Sequence, residues 1–338
     1  GVTETPSFLW RLLRWLLLPA SWLWSIVVTT FLARARSRAA TGSRVSVPVI
    51  SVGNFVVGGT GKTPMVALLA RHLLDKGARP AILTRGYGGE GTRPSDEVSM
   101  LAAQLPTVPI CVDVSRRRAA ERAVRNGADV LILDDGLQHA AMARDLDIVC
   151  FKGVRPIGNG IVLPAGPLRE PLQRREIPKQ IWVHVVVDAK TPMWSRAEVR
   201  CTLKIASVTS LAGDSIFAPA RLWQLCGIGD PAAFQVGLQC AGFVVVERTD
   251  LGDHQPIPNH LVRTLLAKAH ALGARLVVTE KDAFRMGSDL ARFPEVAVAR
   301  ACLDVDEHNA RLLFDPVDEL MGSAIEFYRC DDARRFCN

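Results

Sequence analysis

Residues 45–64 read Val-Ser-Val-Pro-Val-Ile-Ser-Val-Gly-Asn-Phe-Val-Val-Gly-Gly-Thr-Gly-Lys-Thr-Pro. The β-branched run Val45–Val52 predicts a short buried strand. Beyond the stretch, Met65, Leu68, Leu69 and Leu73 recur at helical spacing. Strand, glycine-rich turn and helix, in that order, is the context in which Gly-Lys-Thr cradles phosphates. Gly58, Gly59 and Gly61, with Thr60 between them, let backbone N–H groups turn inward without Cβ clashes. The opening helix adds the positive end of its dipole. Lys62 reaches the β and γ oxygens as a mobile point charge, and the Thr63 hydroxyl suits a Mg²⁺ ligand. The strict pattern asks for glycine where Val56 stands, so the loop is a variant.

A second apolar run, Ala128 to Leu133, ends in Asp134-Asp135-Gly136. Beside a phosphate loop, a strand ending in carboxylates faces the metal that accompanies a nucleoside triphosphate. Asp134 and Asp135 are therefore both assigned to the Mg²⁺ neighbourhood, with no order between them. His139, three residues on from Gly136, has three open roles: a phosphate contact, a group orienting a metal-side Asp, or a surface histidine.

The rest of the chain bounds the partners. Its 338 residues are 49% hydrophobic and 22% charged, with a formal net charge of +7. That composition supports a folded core, and the charge points to an acidic partner. No nucleic-acid-binding motif occurs, and four of the seven tryptophans crowd into Phe8–Ala33. Residues 15–33 carry no charge, close to the roughly 20 residues that cross a hydrocarbon core. Arg11 and Arg14 precede them, and Arg34, Arg36, Arg38 and Arg44 follow. Tryptophan and arginine at the flanks predict a membrane anchor on anionic lipid. Pro19 interrupts the run, and spanning and interfacial placements both remain open. None of the eight cysteines forms a CxxC pair, so reduced, buried thiols are expected, with a Cys330–Cys337 pairing left open.

Strand-like runs at 81–84, 108–112, 130–133, 148–151 and 181–187 alternate with helical patterns such as 115–126. The expected fold is α/β, a P-loop NTPase-like, mostly parallel sheet with helices on both faces. From residue 212 a second, smaller α/β lobe is expected, with strands at 222–226, 242–247 and 275–279. The expected organisation is a membrane-associated helical segment over 1–44, a kinase-like core over 45–211 and the second lobe over 212–338. The run Arg116-Arg117-Arg118 reads as a solvated helix face, with contact to anionic lipid as the alternative.

The ordered motifs then resemble the tetraacyldisaccharide 4′-kinase family. They are Val52-Gly53-Asn54 with Gly58 to Pro64, Leu83 to Gly89, Ser95-Asp96-Glu97-Val98, and Asp134 to His139. Arg144-Asp145-Leu146, Asn159-Gly160, Leu163 to Pro171, Gly227 to Pro231, Asp253-His254 and Thr279 to Asp282 follow. The resemblance implies transfer of the γ-phosphoryl group of ATP, with Mg²⁺, to the 4′-hydroxyl of a tetraacylated glucosamine disaccharide 1-phosphate. It implies the cytoplasmic face of a bacterial inner membrane, and no obligate protein partner is evident. It also implies that Asp96 is catalytic and works with His254, and that Arg169 and Glu170 lie in the active site. Two departures from the family pattern are Val98, where proline is usual, and Gln255-Pro256 after His254. Residue pattern alone reads Asp96 as part of an ordinary helix N-terminus, since Ser95 and Asp96 are both good caps. If His254 comes from the second lobe and Asp96 from the first, lobe closure assembles the site. A P-loop ATPase or GTPase switch, or a metal chaperone, is the rival reading. It lacks a Cys/His metal cluster, and Thr279-Glu280-Lys281-Asp282 is not a full base-reading run.

Overall fold

A computed structural model describes residues 8–42, 44–86, 95–139, 142–176, 178–253 and 255–335. The first half runs α1 (Phe8–Gly42), β1 (Val49–Gly53), α2 (Lys62–Asp75), β2 (Pro80–Thr84), α3 (Asp96–Gln104) and β3 (Ile110–Val112). It continues through α4 (Arg116–Arg125), β4 (Val130–Asp134), β5 (Leu146–Lys152), β6 (Lys179–Val186) and β7 (Val199–Ser210). The second half holds β8 (Arg221–Cys226), α5 (Pro231–Cys240), β9 (Val244–Asp250), α6 (Asn259–Ala271) and β10 (Arg275–Thr279). The chain closes with α7 (Glu280–Met286), β11 (Ala297–Asp304) and α8 (Glu307–Arg335).

All eleven strands join one sheet in the order β3-β2-β4-β1-β5-β6-β7-β11-β10-β8-β9. Every pairing is parallel except β7 with β11, which run antiparallel. β1, β2 and β4 are buried along their whole length, as expected of parallel strands covered on both faces. Leu69 and Leu73 of α2, Leu101 of α3, and Leu313 and Val317 of α8 pack on one face of the first half. Ala119, Ala120 and Ala123 of α4 cover the other. In the second half α6 and α7 take one face and α5 the opposite one. The boundary expected at residue 212 falls in the turn between β7 and β8.

Two features differ from the sequence reading. Pro19 does not break α1, which is helical from Phe8 to Gly42. Arg116 is not on a solvated face: it is 2% exposed. Its guanidinium lies under the sheet edge, where Nη2 donates to the carbonyl of Asp134 at 2.7 Å and Nη1 to that of Leu83. The carbonyls at the ends of two parallel strands have no next strand residue to pair with, and a buried arginine satisfies them. Arg117 and Arg118 are exposed.

α1 contains a stretch, Arg14–Ala35, long and apolar enough to cross a membrane. Trp15, Trp22, Leu23 and Phe31 are exposed along it, whereas Ser21 and Leu32 are buried. The Ser21 hydroxyl accepts a hydrogen bond from Ala165 N at 2.8 Å, docking the helix on the 163–168 loop.

Candidate active site

The parallel register sets β1 and β4 side by side, with Val52 opposite Asp134. The glycine-rich turn after β1 and the carboxylates after β4 therefore emerge at one sheet edge, where open α/β sheets bind ligands. Gly58 and Gly61 have φ of 105° and 88°, which L side chains rarely adopt. Gly61 is the N-cap of α2 and brings no side-chain cap hydrogen bond, so the first N–H groups of Lys62 and Thr63 face outward for an anion. Asn54, fully buried, ties the loop together by donating to Val56 O at 2.6 Å and Thr60 Oγ1 at 2.8 Å. The variant position is also explained. Val56 forms an antiparallel bridge with Leu168, and Val57 N donates to Pro167 O at 2.9 Å. That stretch of loop is a docking strand rather than part of the phosphate turn.

Asp135 is the one non-glycine residue with positive φ among the described residues, at 54°. Such strain persists where the surroundings fix it. Arg169 Nη1 lies 3.0 Å from both of its carboxylate oxygens, and Lys62 Nζ is 3.4 Å from Oδ1. Burial works to raise the Asp135 carboxyl, but these two cations hold it below the usual range. Its neighbour Asp134 behaves oppositely. Burial first, then Glu97 and Asp135, push Asp134 up to about 7 against the pull of Lys62 and Arg116.

Behind this pair, Arg144 is buried and grips buried Asp147 through Nε at 2.7 Å and Nη2 at 3.2 Å. Its Nη1 reaches the carbonyls of His139 at 3.0 Å and Gly136 at 3.4 Å, pinning the 135–139 turn. Gly136 has no room for a side chain, since a Cβ would lie 2.6 Å from Leu133 Cβ. His139 is pushed down to about 4 by burial, with Arg116, Arg85 and Arg144 adding to it, and Arg85 Nη2 lies 3.4 Å from Nδ1. It is a neutral histidine at physiological pH. Glu170 turns inward to Arg175 and to Gln138 Nε2 at 3.3 Å.

Asp96 opens α3, one residue after the N-cap Ser95, whose hydroxyl accepts from Val98 N at 3.4 Å. The capping hydroxyl is thus the serine's, and the Asp96 carboxylate is available for another partner. That partner is Arg285 of α7, with Nε 3.1 Å from Oδ2. His254 lies outside the described residues, as do Tyr87–Gly89, Arg93 and Pro94. The structure brings together the Gly58–Thr63 turn, Asp134, Asp135 and Arg169, and it pairs Asp96 with Arg285. Sequence reasoning missed the roles of Arg285, Asn54, Arg116 and Arg144. Asn54 and Arg144 stood inside recognised motifs, while Arg285 carried no signal of its own.

The donor set suits Mg²⁺. No group of three or more His, Cys, Asp or Glu able to hold a metal occurs among the described residues. Two carboxylates and a threonine hydroxyl leave most of an octahedral shell to phosphate oxygens and water, which is how Mg²⁺ binds with nucleotides.

The model of the tetraacyldisaccharide-1-P 4′-kinase family matches residues 13–315. The chain belongs to that family. A tetraacyldisaccharide 4′-kinase of Jannaschia sp. (strain CCS1) is 38% identical over 309 residues, covering 85% of this chain and 90% of the relative. One of Rhizobium leguminosarum bv. trifolii is 33% identical over 330 residues, covering 90% and 88%. In three dimensions the fold matches the crystal structure of LpxK from Aquifex aeolicus in complex with ATP. The TM-score is 0.68 at 24% identity, over 91% of this chain and 99% of that one. As a member of the tetraacyldisaccharide 4′-kinase family, the chain is a phosphotransferase of lipid A assembly.

Proposed function

We propose that this kinase moves the γ-phosphoryl group of ATP onto the 4′-hydroxyl of its tetraacylated disaccharide 1-phosphate with Asp96 as the proton acceptor. The supporting observation is the convergence of Lys62, Arg169 and Asp135 at the mouth of the Gly58–Thr63 turn.

The turn and the α2 N-terminus bind the β and γ phosphates through backbone N–H groups. Lys62 and Arg169, paired with Asp135 here, are the cations drawn to the incoming phosphates, where they stabilise the charge of a loose transition state. Thr63, Asp134 and Asp135 would hold Mg²⁺, which when bound neutralises phosphate charge. A sugar hydroxyl is a weak acid, so Asp96 takes its proton late in transfer. His254 is assigned to Asp96 as its partner from the second half. The halves 45–211 and 212–338 act as lobes that close over the substrates.

The anchor supports the same reading. The exposed tryptophans of α1, together with the arginines around it, support a kinase that sits on the anionic cytoplasmic face of the inner membrane. The Ser21–Ala165 hydrogen bond sets that helix four residues from Arg169, so an acylated acceptor can keep its chains in lipid while its sugar reaches the site.

Asp96→Ala is expected to lower kcat roughly 10²–10⁴-fold with ATP affinity, measured by titration calorimetry, nearly unchanged. Wild-type turnover in that variant removes Asp96 from the chemistry.

A further inference from the structure

Asp96 comes from the first half of the sheet, but the group that holds it comes from the second. Arg285 meets Asp96 Oδ2 through Nε at 3.1 Å, with the guanidinium side chain only 11% exposed. The other end of the same guanidinium is fixed from three directions. Nη1 donates to Gly227 O at 2.8 Å, to Asp282 Oδ1 at 2.9 Å and to Gln255 O at 3.5 Å. Asp282 is itself immobilised. It is fully buried, accepts from Gly227 N at 3.1 Å, and takes the Thr279 hydroxyl on Oδ2 at 2.6 Å. Arg285 is thus a rigid plane set into the loop after β8, the 255 segment and α7, with its Nε edge turned to α3.

The two helices meet again at both ends of this contact. Lys281 Nζ lies 3.4 Å from Glu97 Oε1, and Gln104 Nε2 donates to Glu280 Oε2 at 2.6 Å. α3 therefore lies along α7 with its first turn fixed by two cations.

We propose that Arg285 is a positioning residue for phosphoryl transfer: it fixes Oδ2 of Asp96 and so presents Oδ1 to the acceptor hydroxyl. The inference rests on the reading of Asp96 as proton acceptor. A carboxylate free to rotate spends little time aligned, and a misplacement of about 1 Å costs about 10²-fold in rate. A planar guanidinium clamped at its far end transmits a fixed position, which a lysine ammonium on a flexible stem does not. Because Arg285 also holds Gly227 and Gln255, both from the second half, one side chain ties Asp96 of the first half to two loops of the second.

A double-mutant cycle on the full chain tests this. Arg285→Ala should lower kcat about 10²-fold with KM for ATP within about twofold. In an Asp96→Asn background the same substitution should change kcat by less than about threefold, because the group it orients is already lost. Equal fold-losses in both backgrounds would mean a purely structural role and overturn the proposal. Wild-type kcat in Arg285→Ala, with Asp96→Asn crippled, overturns it too and leaves the proton-acceptor reading standing. Wild-type kcat in Asp96→Asn sinks that reading first and this one with it. Where Arg285→Ala does not fold, because Asp282 is left buried without its cation, Arg285→Lys carries the test. Its melting temperature should match wild type, its kcat should fall, and the fall should vanish in the Asp96→Asn background. A folded Arg285→Lys chain with wild-type kcat contradicts the proposal.

Discussion

Arg169 and Asp135 are joined so that one guanidinium nitrogen, Nη1, sits 3.0 Å from both carboxylate oxygens, while Lys62 reaches the same carboxylate at 3.4 Å. Asp135 holds the two cations of the phosphate cradle in place, in a backbone conformation that an L-residue seldom adopts. Asp135→Asn keeps the shape and removes the charge. The expected result is a fall in kcat of about 10²-fold or more in a chain that still folds, with a melting temperature at pH 7 somewhat below wild type because the two cations lose their counter-charge. Wild-type turnover would detach Asp135 from the reaction.

A different pair governs stability. Arg144 and Asp147 are buried together, with side chains 3% and 0% exposed. Removing one partner leaves an uncompensated buried charge and frees the 135–139 turn. Arg144→Ala should therefore cost about 3–5 kcal/mol in urea unfolding. A loss below about 1 kcal/mol would contradict the buried-pair reading.

The C-terminal helix is held to the helix of the phosphate loop by a pH-sensitive clasp. The His72 ring stacks on Phe314, with centroids 3.9 Å apart, and Nε2 lies 2.7 Å from Asp318 Oδ1. Lys76 reaches Oδ2 at 2.8 Å. Partial burial works against ionisation of Asp318, but the hydrogen bonds from Lys76 and His72 hold its carboxyl below the usual range. A depressed folded-state value adds stability that is present above the unfolded value of about 3.9 and lost as pH falls through the folded one. Asp318→Asn should thus melt below wild type at pH 7, and the gap should close below about pH 4. A gap independent of pH would contradict the clasp.

Much of the first half was legible because its chemistry is local. β1, β4 and β5 are nearly continuous apolar runs, and the glycine-lysine-threonine turn sits directly between a strand and a helix. β7 and β11 went unread as strands for a physical reason. β7 is only partly buried and mixes Arg200, Thr202 and Lys204 with apolar residues, and β11 carries Arg300 between alanines. What makes them strands is each other, through an antiparallel pairing almost a hundred residues apart in sequence. The same limit hid Arg285 and Arg116. An arginine in a helix reads as solvated unless the acceptors that bury it are known, and those of Arg116 lie on two other strands. Asp96 was legible as a residue of interest only through its motif, since periodicity alone made it and Ser95 both good caps, and Ser95 is the one that caps.

The most direct test of phosphoryl transfer to the acylated sugar is product analysis. The purified full chain is mixed with ATP, Mg²⁺ and tetraacyldisaccharide 1-phosphate in detergent, and new phosphate is located by phosphorus NMR. A phosphomonoester at the 4′ position, formed by wild type and lost in Lys62→Ala, is the predicted result. ATP hydrolysis that proceeds at the same rate with or without the acceptor, leaving the disaccharide unmodified, would contradict it.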